Sequence, residues 1–264
     1  MDSFFRTLAF VFKRIVNFPA KMAFRINLIR HWAIVGWFID KATWEFGIPG
    51  RRLKPVSLNS IFPGIEEVSF QVARIYDRDP RTSLQMEELC ALLSILKYCH
   101  CETVLEVGTY DGNTALNFAL NTPEESGCVA TIDLPEGKNS SLALPVNRSN
   151  ANPSEVIGRQ FRQSPAAPRI ISIRHDTATL NWEELPGPFD LIFIDGCHDY
   201  RYVKNDTEKA LKVLKENGLV VWHDYNLQGV GDFLDEFSRH SPCQWIQGTR
   251  LVISRLKKSV SPGL

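Results

Sequence analysis

Several residues able to do chemistry each stand directly after, or at the end of, a short apolar run. Glu106 and Gly108 follow Val104-Leu105, Asp133 follows Val129–Ile132, and Asp176 comes after Ile170–Ile173. Asp195 follows the run Phe189–Ile194, and His223 and Asp224 follow Leu219–Trp222. Carboxylates placed this way could face a cationic ligand, accept the hydroxyls of a ribose, or hold a divalent cation through oxygen. His198 lies three positions after Asp195. With an ordinary pKa of about 6.5 it is the first candidate for moving a proton, and His223 is the reserve.

Such residues need elements to position them, and the surrounding pattern supplies these. Apolar residues at helical spacing predict helices over 84–98, 114–120, 203–214 and 230–237. Short β-branched and apolar runs predict strands over 103–107, 128–132, 170–173, 189–194, 219–222 and 251–254. This alternation implies an α/β fold, a Rossmann-like doubly wound and mostly parallel sheet with helices on both faces. Sites in such sheets lie beyond the carboxyl ends of the strands, where the residues above fall.

The first strand-to-helix turn reads Glu106-Val107-Gly108-Thr109-Tyr110-Asp111-Gly112. Gly108 permits close approach of a ligand, and Gly112 lets the next helix begin near the sheet. A dinucleotide-binding turn would carry glycine where Tyr110 stands, because the pyrophosphate needs that space. Glu106 suits a cationic cofactor, and the ammonium of S-adenosylmethionine is the evident candidate. Asp133, 25 positions beyond Gly108, could accept both ribose hydroxyls.

The turn resembles the glycine-rich motif of class I S-adenosylmethionine-dependent methyltransferases. The segment Ile194-Asp195-Gly196-Cys197-His198-Asp199-Tyr200 and the run Leu214–Tyr225 resemble the methyltransferase 24 group of small-molecule and sugar O-methyltransferases. The likeness covers roughly residues 84–256. It implies that Glu106 and Gly108 contact the methionine end of the cofactor, with Tyr110, Asp111 and Gly112 also binding it. It places Asp133 at the ribose, and Asp176 and Thr177 beside the adenine. Asp176 could instead cap a local turn. Asp195 and Asp224 would hold Mg²⁺ or Mn²⁺, with Asp195, His198 and His223 serving the transfer to a small hydroxylated or sugar-like acceptor. His223 stands where related enzymes often carry a second acid, a departure that disfavours Mg²⁺. Two alternatives remain at this level: a catalytically silent interaction or membrane-associated domain of the same fold, and a NAD-dependent oxidoreductase.

Residues 84–264 form the expected domain, with an insertion at about 135–169 that could close over cofactor and acceptor. Arg159 and Arg162 within it could meet an anionic acceptor. Residues 1–83 read as an N-terminal helical extension and connector. Between Ser3 and Ile39 there are six Lys or Arg and no acid, interleaved with aromatics. Residues 1–40 could therefore lie against an anionic membrane surface, the main domain or a second copy of the chain. The longest apolar run, Trp32–Ile39, is too short to span a bilayer. Lys plus Arg and Asp plus Glu are both 30, which removes a generally basic nucleic-acid binder from consideration. Six scattered cysteines suit free thiols in a cytoplasmic protein, peripheral to a membrane if the leader binds one.

Overall fold

The computed structural model describes Thr43 and residues 47–73, 84–135, 142–146 and 152–256. The basic leader, and any membrane or oligomer contact through it, lies outside the described residues.

Among the described residues eight strands form one sheet, in the order β1-β7-β8-β6-β5-β2-β3-β4. They are β1 (Pro55–Val56), β2 (Thr103–Val107), β3 (Cys128–Asp133), β4 (Ile170–Arg174), β5 (Phe189–Ile194), β6 (Leu214–Trp222), β7 (Gln244–Ile246) and β8 (Val252–Arg255). Strands β4, β3, β2, β5 and β6 run parallel. Strand β8 is antiparallel to β6 and β7. The expected mostly parallel sheet is present.

The helices among the described residues are α1 (Leu58–Ile61), α2 (Met86–Tyr98), α3 (Asn113–Asn121), α4 (Tyr200–Val213) and α5 (Gln228–Phe237). Helix α2 starts at a capping box in which Gln85 and Glu88 satisfy each other's backbone N–H groups. Its Leu89, Leu92, Leu93 and Leu96 pack with Phe118 of α3 on one sheet face. Helix α4 is opened by Asp199, whose side chain accepts from the Arg201 N–H. Its Val203, Ala210 and Val213 join Phe233 and Phe237 of α5 on the other face. The inner strands are buried on both faces, and burial of each such side chain contributes roughly 1.5–3 kcal/mol. The strand ends that carry the polar residues are therefore rigidly held.

The segment 51–83, expected as an irregular connector, departs from that reading. Its residues 55–56 pair with β7 and extend the sheet. Arg51 is held by Asp232 and Asp235 of α5, and the Leu53 N–H donates to the Tyr225 hydroxyl. The packed unit thus begins near residue 47, well before residue 84. A two-residue strand carries too little periodicity to be read from sequence. Among the described residues no helix is long and apolar enough to cross a membrane.

Candidate functional site

The turn after β2 bends tightly against the end of β5. Gly108 has φ +101°, and a Cβ there would stand 2.1 Å from the Asp195 carbonyl oxygen. The Asp195 N–H donates to the Val107 carbonyl at 2.8 Å. Hence the glycine turn and the Asp195 loop share one wall. Asp133, at the end of the neighbouring β3, accepts from the backbone N–H of Tyr110 and of Leu134, both at 2.8 Å. It remains partly exposed beside the turn.

Glu106 is buried, 1% exposed. Its Oε2 accepts the Thr131 hydroxyl, which also pairs with Thr109. Burial raises its pKa well above the carboxylate range; the Thr131 hydroxyl opposes this, and Asp195, Asp133 and Asp111 add to it. A cation arriving at this strand end would meet a carboxyl group held neutral until a positive charge stabilises its ionised form.

Other positions expected at the cofactor are turned to structural work. Asp111 is buried; it accepts from the Asn113 N–H that opens α3 and from Gln160 Nε2 of the insertion. Gly112 has φ +82°, and a Cβ there would stand 2.5 Å from the Phe161 ring, so insertion packing explains this glycine. Tyr110 contributes through its backbone, giving its N–H to Asp133 and accepting the Gly158 N–H. Asp176 Oδ1 accepts from the Ala178 N–H and the Tyr202 hydroxyl, and Oδ2 from that hydroxyl and the Ala143 N–H. This is the local-turn alternative, reinforced from α4. The Thr177 carbonyl takes Trp182 Nε1 and Lys209 Nζ. For Asp111 and Asp176 the reason is that short polar side chains at a loop entrance satisfy nearby backbone N–H groups first.

The insertion covers the outer side of the first turn. Gly158 and Gln160 donate their backbone N–H groups to the Tyr110 and Asp111 carbonyls at 2.8 and 2.9 Å. Arg162 donates to the Ser154 and Ile157 carbonyls, and Arg174 Nη2 to Ile157 at 3.0 Å. Arg159 lies 3.8 Å from Asp111. Arg162 thus braces the insertion itself through Nη2.

At the ends of β5 and β6 the structure brings Asp195, His198 and Asp224 together, one ligand-type atom from each within 4.8 Å of the others. His198 Nε2 stands 3.0 Å from Asp224 Oδ2 and 4.0 Å from Asp195 Oδ1. Burial lowers the His198 pKa, but Asp195 and Asp224 outweigh this and raise it to about 9. Asp224 sits at φ +58°, unusual for a side-chain-bearing residue, which turns its carboxylate into the cluster.

His223 is not a reserve base. Its Nδ1 lies 2.9 Å from Asp195 Oδ1 and its Nε2 3.1 Å from Glu88 Oε2. Carboxylate oxygens accept and cannot donate, so both ring nitrogens carry protons and His223 is a buried cation. Burial opposes that charge; Asp195 is the chief group that raises the pKa well above its ordinary value.

Two residues that sequence reasoning left aside complete the cluster. Arg250 donates to Glu88 through Nε at 2.8 Å and Nη2 at 2.7 Å, and to Asp224 Oδ1 through Nη1 at 2.9 Å. Glu88 is 1% exposed and held down to about 2: burial alone would raise it, and His223 and Arg250 overcome that. Glu88 looks like an ordinary α2 residue in sequence, and Arg250 like a loop charge. Only a buried acid at a capping-box position could have hinted at the first.

The fit of a divalent cation follows from these contacts. Asp224 is already gripped by Arg250 on one oxygen and His198 on the other, and Asp195 by His223. Tyr225, next to Asp224, turns its hydroxyl away to Asp235. Three carboxylates face the fixed cations Arg250 and His223, so with His198 neutral the cluster lacks one positive charge and a divalent ion would overshoot it. The residues present do not fit Mg²⁺ or Mn²⁺.

This fold is shared by solved methyltransferase structures. Residues 105–225 match the family model described as a methyltransferase domain. The chain is 25% identical over 167 residues to a caffeoyl-CoA O-methyltransferase from Pinus taeda, covering 62% of this chain and 59% of that protein. It is 27% identical over 165 residues to caffeoyl-CoA O-methyltransferase 2 from Zea mays, covering 55% and 56%. The chain thus spans less than two thirds of the length of these curated relatives. Among solved structures, the O-methyltransferase TomG from Streptomyces achromogenes, in complex with S-adenosylmethionine, shares the fold with a TM-score of 0.50 at 16% identity. That match covers 76% of this chain and 97% of the other. A Podospora anserina methyltransferase bound to S-adenosylhomocysteine shares it with a TM-score of 0.51 at 17% identity, covering 91% and 97%. The resemblance to class I S-adenosylmethionine-dependent methyltransferases is borne out in the fold and in the methyltransferase-domain match over residues 105–225.

Proposed function

We propose that the protein is an S-adenosylmethionine-dependent O-methyltransferase acting on a hydroxyl of a small, hydroxylated or sugar-like acceptor. The observation that carries this reading is the shared wall between the Gly108 turn and Asp195. A ligand on the turn and a ligand at His198 would meet across a single backbone thickness. The curated relatives are O-methyltransferases by name, which supports oxygen as the methylated atom.

When bound, S-adenosylmethionine supplies an already activated methyl group, so the protein's task is alignment and proton removal. Asp133 accepts the ribose hydroxyls with the lone pairs left by Tyr110 and Leu134. Glu106 receives the ammonium directly or through a water. Neutral His198 keeps its Nε2 proton toward Asp224 and takes the acceptor's hydroxyl proton on Nδ1, and Asp195 and Asp224 stabilise the imidazolium that results. The NAD reading is disfavoured because Tyr110 stands at the second glycine position with both its backbone groups already committed.

Calorimetric titration with S-adenosylhomocysteine tests the cofactor half. We expect saturable binding that Asp133→Ala weakens by at least tenfold. Transfer of labelled methyl to a panel of catechols, hydroxycinnamoyl thioesters and sugars tests the rest. Binding of NAD in place of S-adenosylhomocysteine would overturn the reading. Cofactor binding with no transfer to any acceptor would favour the silent domain.

A further inference from the structure

We propose that this acceptor site works without a resident divalent cation, Arg250 and His223 having taken the inner sides of the carboxylates that would hold one. The inference rests on the methyltransferase reading and departs from the ion-assisted form that the sequence suggested.

The contacts form a closed ring of alternating sign. Glu88 meets Arg250, Arg250 meets Asp224, Asp224 meets His198, His198 faces Asp195, Asp195 meets His223, and His223 returns to Glu88. The ring joins α2, the loop after β5, the end of β6 and the turn before β8. Glu88 is its anchor: it takes two guanidinium bonds, one imidazole bond and the Gln85 N–H that opens α2. Glu88 and Arg250 are positioning residues. They act through Asp224 and His223 and leave His198 as the one group of the ring with an exposed side chain, 46% accessible.

The charge count decides between ion and proton. Glu88, Asp195 and Asp224 bring three negative charges, and Arg250 and His223 two positive ones. With His198 neutral, the ring is short of a single positive charge. In the transfer, the acceptor O–H bond breaks and its proton goes to His198 Nδ1, Nε2 keeping the proton it donates to Asp224. The acceptor oxygen forms the new O–CH₃ bond, while the C–S bond breaks and its electron pair stays on sulfur. The proton received by His198 closes the balance. An ion would compete for the same imidazole: if His198 ligated it, the ring would keep no free base.

The test uses the full chain, dialysed against chelator and saturated with S-adenosylhomocysteine. Mn²⁺ is titrated in and the six-line electron paramagnetic resonance signal of the free ion is followed. The expected signal grows in proportion to added Mn²⁺, as in buffer, up to millimolar concentration. One equivalent of bound Mn²⁺ that is lost in Asp224→Ala would overturn the proposal, whether or not an acceptor is known. Where transfer is measurable, chelator should change the rate by less than twofold, and a tenfold loss restored by Mg²⁺ or Mn²⁺ would refute the inference. Arg250→Ala should lower kcat at least tenfold with S-adenosylhomocysteine affinity unchanged, and Arg250→Lys should recover part of it. A shift of the kcat–pH profile in Glu88→Gln, with a melting curve still cooperative, separates positioning from loss of fold. An unshifted profile in that variant would remove Glu88 from the proposal. Failure of S-adenosylhomocysteine to bind at all would count against the methyltransferase reading itself, while the Mn²⁺ titration would still decide this one.

Discussion

The Asp195 carbonyl oxygen lies 2.1 Å from the place where a side chain on Gly108 would begin. Backbone of the Asp195 loop is thus packed directly onto backbone of the Gly108 turn. Gly108→Ala must move one of them and also strain φ +101°. We expect a loss of about 3 kcal/mol in denaturant unfolding, together with loss of S-adenosylhomocysteine binding by calorimetry. A variant of unchanged stability and affinity would separate the two halves of the site.

Glu106 leads to a proton-linked prediction. Its carboxyl is held neutral mainly by burial, against the Thr131 hydroxyl and with help from Asp195. A ligand ammonium would favour the ionised form, so binding should release a proton. Affinity for S-adenosylhomocysteine should rise with pH, and the heat of binding should vary with the ionisation enthalpy of the buffer. Glu106→Gln should abolish the buffer dependence.

His198 sets the expected rate profile. Raised to about 9 against its own burial by Asp195 and Asp224, it is protonated at neutral pH. A base must start neutral, so kcat should climb with pH and level off above about 9. Asp224→Asn removes one supporting charge and should move the limb to lower pH while reducing the plateau. A profile flat across this range would exclude His198 as the base.

Asp206 offers a test of stability away from the chemistry. It is 1% exposed in α4, and burial raises it to about 6 against hydrogen bonds from Thr177 and Asn205. A carboxyl group raised in the folded state favours folding below its unfolded value. That contribution is lost as pH rises from about 4 through about 6. Asp206→Asn should therefore raise stability near neutral pH by about 1–2 kcal/mol, and by much less near pH 4, by thermal melts at both.

Strand ends were the most legible part of the site. Asp133, Asp195 and Asp224 stand where the apolar runs stop, and β2, β5 and the helices α2–α5 fall within a few residues of their expected bounds. Period and turn chemistry are local properties, and they suffice for elements of this length. Strands β1 and β7 escaped because two or three residues carry no period. The contacts of Asp111 and Gly112 with the insertion, and of Asp176 with Tyr202, were not legible, because their partners lie far along the chain.

By itself the sequence determined the alternating α/β order, the glycine at the tight turn and the carboxylates at the strand tips, because each is written in neighbouring residues. Only the tertiary structure decided what those carboxylates face. Glu88 and Arg250 are 162 positions apart, and His223 is 135 from Glu88. Charges so distant in the chain meet only when α2 and the turn before β8 close over the ends of β5 and β6. In that low-dielectric space their signs must balance, and it is the balance that makes His223 a fixed cation and leaves His198 as the exposed imidazole of the cluster.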